Sequence, residues 1–240
     1  MGPQEFPDVL QPLFIKLGVE PVDANEIRKI HPMRTWGGWQ SKPYSIVYSP
    51  FKEVFSFDAD NIALMNPEIL FEMSEYQKHG SMFWPDFASD KWEYWMIKPQ
   101  AWKLLGLEPM QGEEIETGQV LIDKERNWNA LWVAFHFNAN SDFFYEQCTY
   151  GDTDTYTLAW LMLNTPRCLV SHQPRLLEDM IRIHFTPDGR ELFQHSRKWV
   201  LPSAMNKHLP SYKNEEQCMV WLKQFELELE RVQKDQLYGA

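Results

Sequence analysis

Apolar and polar positions fall in short blocks along this chain. Lys52-Glu53-Val54-Phe55-Ser56-Phe57 is a β-prone run that stops at Asp58-Ala59-Asp60-Asn61. It predicts a buried strand that delivers carboxylates at its carboxyl end, where open α/β sheets place ligands. Thr117–Asp123, apolar at Val120-Leu121-Ile122, predicts a second strand, and Gly80–Phe83 and Glu191–His195 predict shorter ones. Asn66 before Pro67 is an N-cap followed by a proline suited to a first helical turn, so a helix is expected over Glu68–Tyr76. Further helices are expected over Ala24–Ile30, Trp92–Leu105 with an interruption at Pro99, Asn127–Asn138, from Ser141, over Thr153–Met162, and over Asn214–Gln236. In the last, Val220, Leu222, Phe225, Leu227, Leu229 and Val232 make an apolar stripe interrupted by Glu226, Glu228 and Glu230. Residues 31–43, with His31-Pro32 and Gly37-Gly38, read as loop, and Tyr44–Tyr48 fits either a helix end or a strand. The mixture of strands and helices is α/β, without an internal repeat.

Composition narrows the functions this pattern can serve. The chain has 240 residues, 44% of them hydrophobic, enough for a sizeable core and a poor fit to disorder. No stretch approaches the ~20 apolar residues that span a bilayer, so this chain itself is expected to make no membrane contact. Lys plus Arg is 23 against 34 Asp plus Glu, a net charge of −11. Such a chain is a poor general binder of phosphate backbones, and no nucleic-acid partner is expected. A nucleotide as a small ligand needs only a metal ion and a few cationic groups. Cys148, Cys168 and Cys218 are too few and too widely spaced for a disulfide scaffold or zinc knuckle, though they leave room for one disulfide. The start, Met1-Gly2-Pro3, is not expected to be a signal peptide, because no basic region leads into an apolar one. Tryptophan is abundant at 11 residues, which reads as a bulky core, with flat sugar-binding faces as the alternative use.

Four units carry candidate chemistry. Asp58 and Asp60, one residue apart after a strand, can approach one hard cation that also takes phosphate oxygens; the alternative is surface or capping acids. In Gly151-Asp152-Thr153-Asp154 an acid either caps the following helix or reaches a sugar. In Glu116-Thr117-Gly118-Gln119 the glycine permits close approach to the backbone while Glu116 or Gln119 bonds hydroxyls, unless the unit is an ordinary turn. His195 can complete a metal site, and Lys198 can neutralise phosphate, or the histidine is structural. His136, His172, His184 and His208 read as structural or surface residues. A phosphate loop, a dinucleotide fingerprint, a nucleophile elbow and a His-Glu-x-x-His pair are all missing from the sequence.

In this order the units resemble the fungal-type Golgi α-mannosyltransferase family that modifies N-linked and cell-wall mannans. The resemblance is carried by Phe51-Lys52-Glu53-Val54 with Asp58-Ala59-Asp60-Asn61, then Asn66-Pro67-Glu68-Ile69-Leu70-Phe71 and Gly80-Ser81-Met82-Phe83-Trp84-Pro85-Asp86. It continues through Glu114–Lys124, Gly151-Asp152-Thr153-Asp154-Thr155-Tyr156, and Phe193-Gln194-His195 with Lys198-Trp199, covering roughly residues 36–200.

The resemblance implies a GT-A-like nucleotide-sugar transferase fold, a mixed central sheet flanked by helices. It implies a metal-dependent enzyme that moves mannose from GDP-mannose to a mannoside or glycan acceptor with retention, forming an α linkage. Asp58, Asp60 and His195 would hold Mn²⁺ or Mg²⁺. Lys42 and Lys198 would approach the donor, and Glu116, Gly118 and Gln119 would line the donor or acceptor side. Asp154 and Asp152 would be catalytic, Asp154 closest to the anomeric carbon. A full-length Golgi relative carries a membrane anchor and works in the Golgi lumen. The expected organisation is a lead-in over 1–35, a catalytic domain over 36–210 and a packed carboxyl-terminal helix over 211–240. Upstream of Asp58 the opening strand and nucleotide loop of a GT-A domain are not recognisable, so the first βα unit is expected to be lacking. A non-catalytic, carbohydrate-associated or complex-forming relative, or the same fold with another nucleotide sugar, is the alternative reading.

Overall fold

The computed structural model describes residues 11–86, 96–177, 181–196 and 213–238. The chain divides into two units, Met1–Met33 with His208–Ala240, and Arg34–Lys207. The first holds helices α1 (Gln11–Lys16), α2 (Ala24–Ile30) and α9 (Glu215–Tyr238). Phe14 meets Phe225 edge-on at 5.9 Å, and Lys16 Nζ lies 3.1 Å from Glu228 Oε1. Asp23 caps α2 by accepting the Asn25 N–H at 2.8 Å.

The second unit is mixed α/β with two four-stranded sheets in place of the expected single central sheet. The first sheet has the order β1 (Glu53–Phe57), β4 (Ile115–Asp123), β3 (Ser81–Pro85), β5 (Cys168–Leu169). Only the β3–β5 pair is parallel. The second, wholly antiparallel, has the order β2 (Asn61–Ala63), β8 (Glu191–Ser196), β7 (Ile181–Phe185), β6 (Arg175–Leu177). The acidic stretch causes the division: the chain leaves β1 at Phe57, turns through Asp58–Asp60 and enters the other sheet as β2. β1 is therefore a half-exposed edge strand antiparallel to β4, where a buried strand was expected.

Side-chain alternation on β3 joins the layers. Met82 and Trp84 share one apolar cluster with Leu121 of β4, Cys168 of β5, and Leu192 and Phe193 of β8. Phe193 stacks on Phe55 at 5.4 Å and meets Trp84 at 5.6 Å. The Trp84 indole N–H donates to Phe185 O at 2.8 Å, so its one polar atom is satisfied inside the core. Phe83, on the other face, meets Tyr156 and Trp160 of α8 (Thr153–Met162). Cys148, Cys168 and Cys218 are not joined by a disulfide.

The helices follow their caps. Asp123 accepts the Glu125 and Arg126 N–H groups at 2.9 and 3.2 Å, so α6 (Lys124–Ala139) starts three residues earlier than its apolar pattern predicts. Asn66 does cap, accepting Glu68 N–H at 3.1 Å. The expected helix over Glu68–Tyr76 nevertheless divides at the extended Met73 into a 3-10 helix, Pro67–Glu72, and α4, Ser74–His79. Residues 44–48, open between helix and strand, lie in α3 (Ser41–Tyr48), which also takes in residues 41–43, expected as loop; Tyr44 is buried against Trp36 and Phe135. Only α5 (Pro99–Leu104) of the expected Trp92–Leu105 helix lies in the described residues apart from Leu105, its cap, and residues 96–98 before it; residues 92–95 lie outside them. Helix α7 (Ser141–Gln147) begins at Ser141 as expected.

Gly80 closes α4 in the left-handed region at φ 69°, and a Cβ there would meet Asn127 Nδ2 at 2.9 Å and Arg126 Cδ at 3.1 Å. The Gly80 carbonyl accepts both Asp123 N–H and Asn127 Nδ2–H. Gly80→Ala is expected to lower stability by about 1–2 kcal/mol from the backbone conformation alone. A urea midpoint equal to that of the parent chain would contradict this.

Candidate functional site

Strand β4 builds the site from below. The Gly118 carbonyl accepts Asp58 N–H at 2.7 Å and Asn61 Nδ2–H at 2.8 Å, and the Asn61 amide also donates to Gln119 Oε1 at 2.8 Å. Asn61 N–H then closes on Asp58 O at 3.1 Å. The acidic turn thus hangs on one carbonyl and one buried side chain. Gly118 itself is enclosed: a Cβ would lie 3.1 Å from both Asn61 Nδ2 and Glu116 Oε1, and 3.3 Å from His195 Cε1. Its missing side chain admits the protein's own groups to the backbone.

Each acid of the turn has a cationic partner. Lys42, on the first turn of α3, donates to Asp58 Oδ2 at 2.7 Å. Burial raises Asp58 above the usual carboxylate range and Lys42 pulls against that rise. Burial works against the lysine charge too, but Asp152 and Asp58 outweigh it and hold Lys42 above an ordinary lysine. His195, paired in register with Asn61, places Nε2 3.3 Å from Asp60 Oδ2. Burial would raise Asp60; the His195 bond and charge lower it. On its other side His195 Nδ1 lies 3.4 Å from Glu116 Oε2. Burial disfavours the imidazolium, yet the two carboxylates raise its pKa to about 10.

Glu116 is the hub behind the histidine. Its Oε1 accepts Gly118 N–H at 2.8 Å, and Arg182 Nη1 lies 3.0 Å from its Oε2 and 2.9 Å from Asp86 Oδ1. Burial pushes Glu116 up, but His195, then His184 and the Gly118 N–H, hold it well below the usual range. Glu116, His184 and His195 offer ligand atoms all within 4.8 Å of one another. His184 is 1% exposed, neither ring nitrogen has a hydrogen-bond partner, and burial lowers its pKa to about 4.

Asp152 stands beside Lys42. It does not cap α8 with its side chain; it accepts Thr117 Oγ1–H at 3.0 Å. Burial raises its pKa to about 6 against the pull of Lys42 and Thr117. Asp154 is fully buried, with Oδ2 accepting Tyr150 N–H at 3.1 Å. Its other oxygen and Glu114 Oε2 have no donor when both acids are ionised. A single proton on Glu114 would serve both, in keeping with burial and the Asp154 charge, which raise Glu114 to about 8.

The structure therefore gathers Lys42, Asp58, Asp60, Glu116, Gly118, Gln119, Asp152 and His195 around one end of β4. It turns Gln119 inward to Asn61 and directs Asp154 to Glu114 and Tyr150. Lys198 lies outside the described residues. Arg182 and His184 escape a motif-based reading, and His184 read as structural or surface. A signal was present: Ile181-Arg182-Ile183-His184 alternates apolar and polar, putting both polar side chains on one face of β7.

Comparison with known proteins gives the arrangement a context. A family model described as "Mannosyltransferase putative" matches residues 12–114 and 107–182. Among curated proteins the chain is similar to alpha-1,2-mannosyltransferase MNN22 of Candida albicans, 29% identical over 35% of this chain and 13% of that protein. It is also similar to alpha-1,2-mannosyltransferase MNN26 of the same species, 22% identical over 82% of this chain and 32% of that one. A third, alpha-1,2-mannosyltransferase MNN5 of Saccharomyces cerevisiae, is 22% identical over 53% of this chain and 30% of its own length. The chain spans a third or less of these curated relatives. Among the described residues, no helix is long and apolar enough to cross a membrane.

A folded Glu114 keeps its proton to about pH 8, whereas an ordinary glutamate releases it near 4.5. The folded state binds the extra proton in that window, so this group's contribution to stability falls as pH rises from about 4.5 to 8. Glu114→Gln, which keeps an N–H for Asp154, is expected to flatten the decline. Denaturant midpoints across pH 4.5–8 read it, and an unchanged slope would refute the shared proton.

Proposed function

The chain belongs to this mannosyltransferase family, and from that premise we propose that it carries the donor- and metal-binding part of a GT-A-like glycosyltransferase. It transfers mannose from GDP-mannose to a mannoside or glycan acceptor with an α linkage retained, in the Golgi lumen. The observation that carries the reading is the acidic turn, held between the two sheets with Lys42 on one carboxylate and His195 on the other.

The carboxylates of Asp58 and Asp60 are the oxygen donors that Mn²⁺ or Mg²⁺ prefers. Asp60 Oδ2 and His195 Nε2 adjoin at 3.3 Å and both residues stay partly open, so an imidazole nitrogen lies next to the oxygen donors. Asp60, His195 and Asp58 would hold it, and when bound it supplies positive charge against the diphosphate leaving group. His195 must release its proton to serve as a ligand, so metal uptake is coupled to proton release. Glu116 Oε2, 3.4 Å from Nδ1, stands behind the imidazole whose Nε2 faces Asp60, the side on which a ligating histidine usually finds a carboxylate. Lys42, now on Asp58, would neutralise a phosphate oxygen of the donor where Asp58 serves the metal. Asp152, with its raised pKa and its neighbours Lys42 and Thr117, is the carboxylate best placed toward the transferred sugar, and Asp154 supports the helix start behind it.

GDP release from GDP-mannose with Mn²⁺ and a mannoside acceptor tests this. Asp58→Ala and Asp60→Ala are each expected to reduce turnover on the order of 100-fold or more, as loss of a metal-borne charge worth several kcal/mol demands. Full activity in both variants would overturn the metal assignment. An intact folded chain without metal-dependent GDP binding in calorimetry would favour a non-catalytic carbohydrate-associated role instead.

A further inference from the structure

The tryptophans of this chain do not all serve the core. Trp84 and Trp160 are buried, whereas Trp39 is 49% exposed. Trp39 lies on the 3-10 helix Gly38–Gln40, which runs directly into α3. Its ring centroid is 6.1 Å from that of Tyr150, at 39°, and 6.4 Å from that of Tyr145. Tyr150 is itself 67% exposed. Both rings therefore keep open surface, side by side and tilted.

The pair is built in, not left over. A Cβ on Gly151 would lie 3.1 Å from Trp39 Cε3 and 3.3 Å from Cζ3. Gly151 does not occupy the left-handed region, so its backbone does not demand glycine; the approach of the indole does. The next residue, Gln40, is anchored by its Nε2–H donating to Ser141 Oγ at 2.7 Å. Tyr150 is tied at its backbone, where its N–H donates to Asp154.

The platform also adjoins the chemistry. Trp39 stands three residues, about one helical turn, before Lys42, whose ammonium is on Asp58. Tyr150 stands two residues before Asp152. A flat aromatic face of this kind suits a pyranose ring, whose C–H bonds pack against the negative π-face while its hydroxyls stay at the edge for water and polar groups. A nucleobase fits less well, because tilted, solvent-open rings give it no parallel slot.

We propose that Trp39 and Tyr150 form the stacking platform for a sugar ring of the acceptor mannoside, seated by Gly151. The proposal rests on the mannosyltransferase reading and names its acceptor subsite. Calorimetry of the whole chain with an α-linked mannotriose, and separately with GDP plus Mn²⁺, tests it. Trp39→Ala and Tyr150→Ala are expected to weaken mannotriose at least tenfold and leave GDP affinity unchanged. Trp39→Phe should retain most of the binding, and Gly151→Ala should weaken it by displacing the indole. Trp128→Ala, at another exposed tryptophan, should change neither ligand, and equal urea midpoints show that the variants are folded. Parent-like mannotriose affinity in Trp39→Ala overturns the proposal, as does a loss of GDP affinity in that variant. A parent chain that binds GDP but not mannotriose overturns the platform alone; one that binds neither overturns the mannosyltransferase reading and the platform with it.

Discussion

The carbonyl of Gly118 is the point on which the arrangement depends. It accepts from the Asp58 backbone and from the Asn61 side chain, so it holds both ends of the turn that carries Asp58 and Asp60. A buried carbonyl left with no donor costs free energy comparable to a lost hydrogen bond. Here its two acceptor positions carry the passage from one sheet to the other. Everything polar nearby follows from that choice: Lys42 and His195 answer the acids, Glu116 answers His195, and Arg182 answers Glu116 and Asp86.

The cluster is a chain of alternating charges in a partly dry place. Removing any one member leaves its neighbour uncompensated, which is the expensive way to lose a buried ion pair. The same property makes it ready for exchange. Under the proposed function, Asp60 and His195 would hold a dication and so exchange one positive charge for two, which a diphosphate would balance. The alternating charges already have the sign pattern a metal-bound anion would require.

Local signals gave many of the elements. Thr153–Met162 and Ala24–Ile30 are legible to the residue, because short-range patterning decides them, with the Asp23 cap fixing the start of the second. The start of α6 was misjudged because Asp123 serves at once as the end of a strand and as a helix cap, and a pattern of apolar residues sees neither duty. The two-sheet architecture was not legible, since the pairing of Asn61 with His195 leaves no local trace. At the site, carboxylates spaced one apart could be found by their spacing, and a resemblance supplied Lys42. Glu116 was found for the wrong surroundings: it looks into the protein at His195 and Arg182, and not toward open space. Partners brought together by tertiary packing are where single-sequence reasoning ends.

The register of β2 has a consequence in time. Lys42 meets Asp58 across 16 residues of sequence, whereas His195 meets Asp60 across 135. Closing the longer loop costs more chain entropy and yields nothing until the strands align. The lysine side of the site can thus form with the neighbourhood of β1, while the histidine side waits for β8 to arrive. A nascent chain halted before residue 191 would carry the acidic turn with half its counter-charge, a reason for the site to be among the last parts of the molecule to mature.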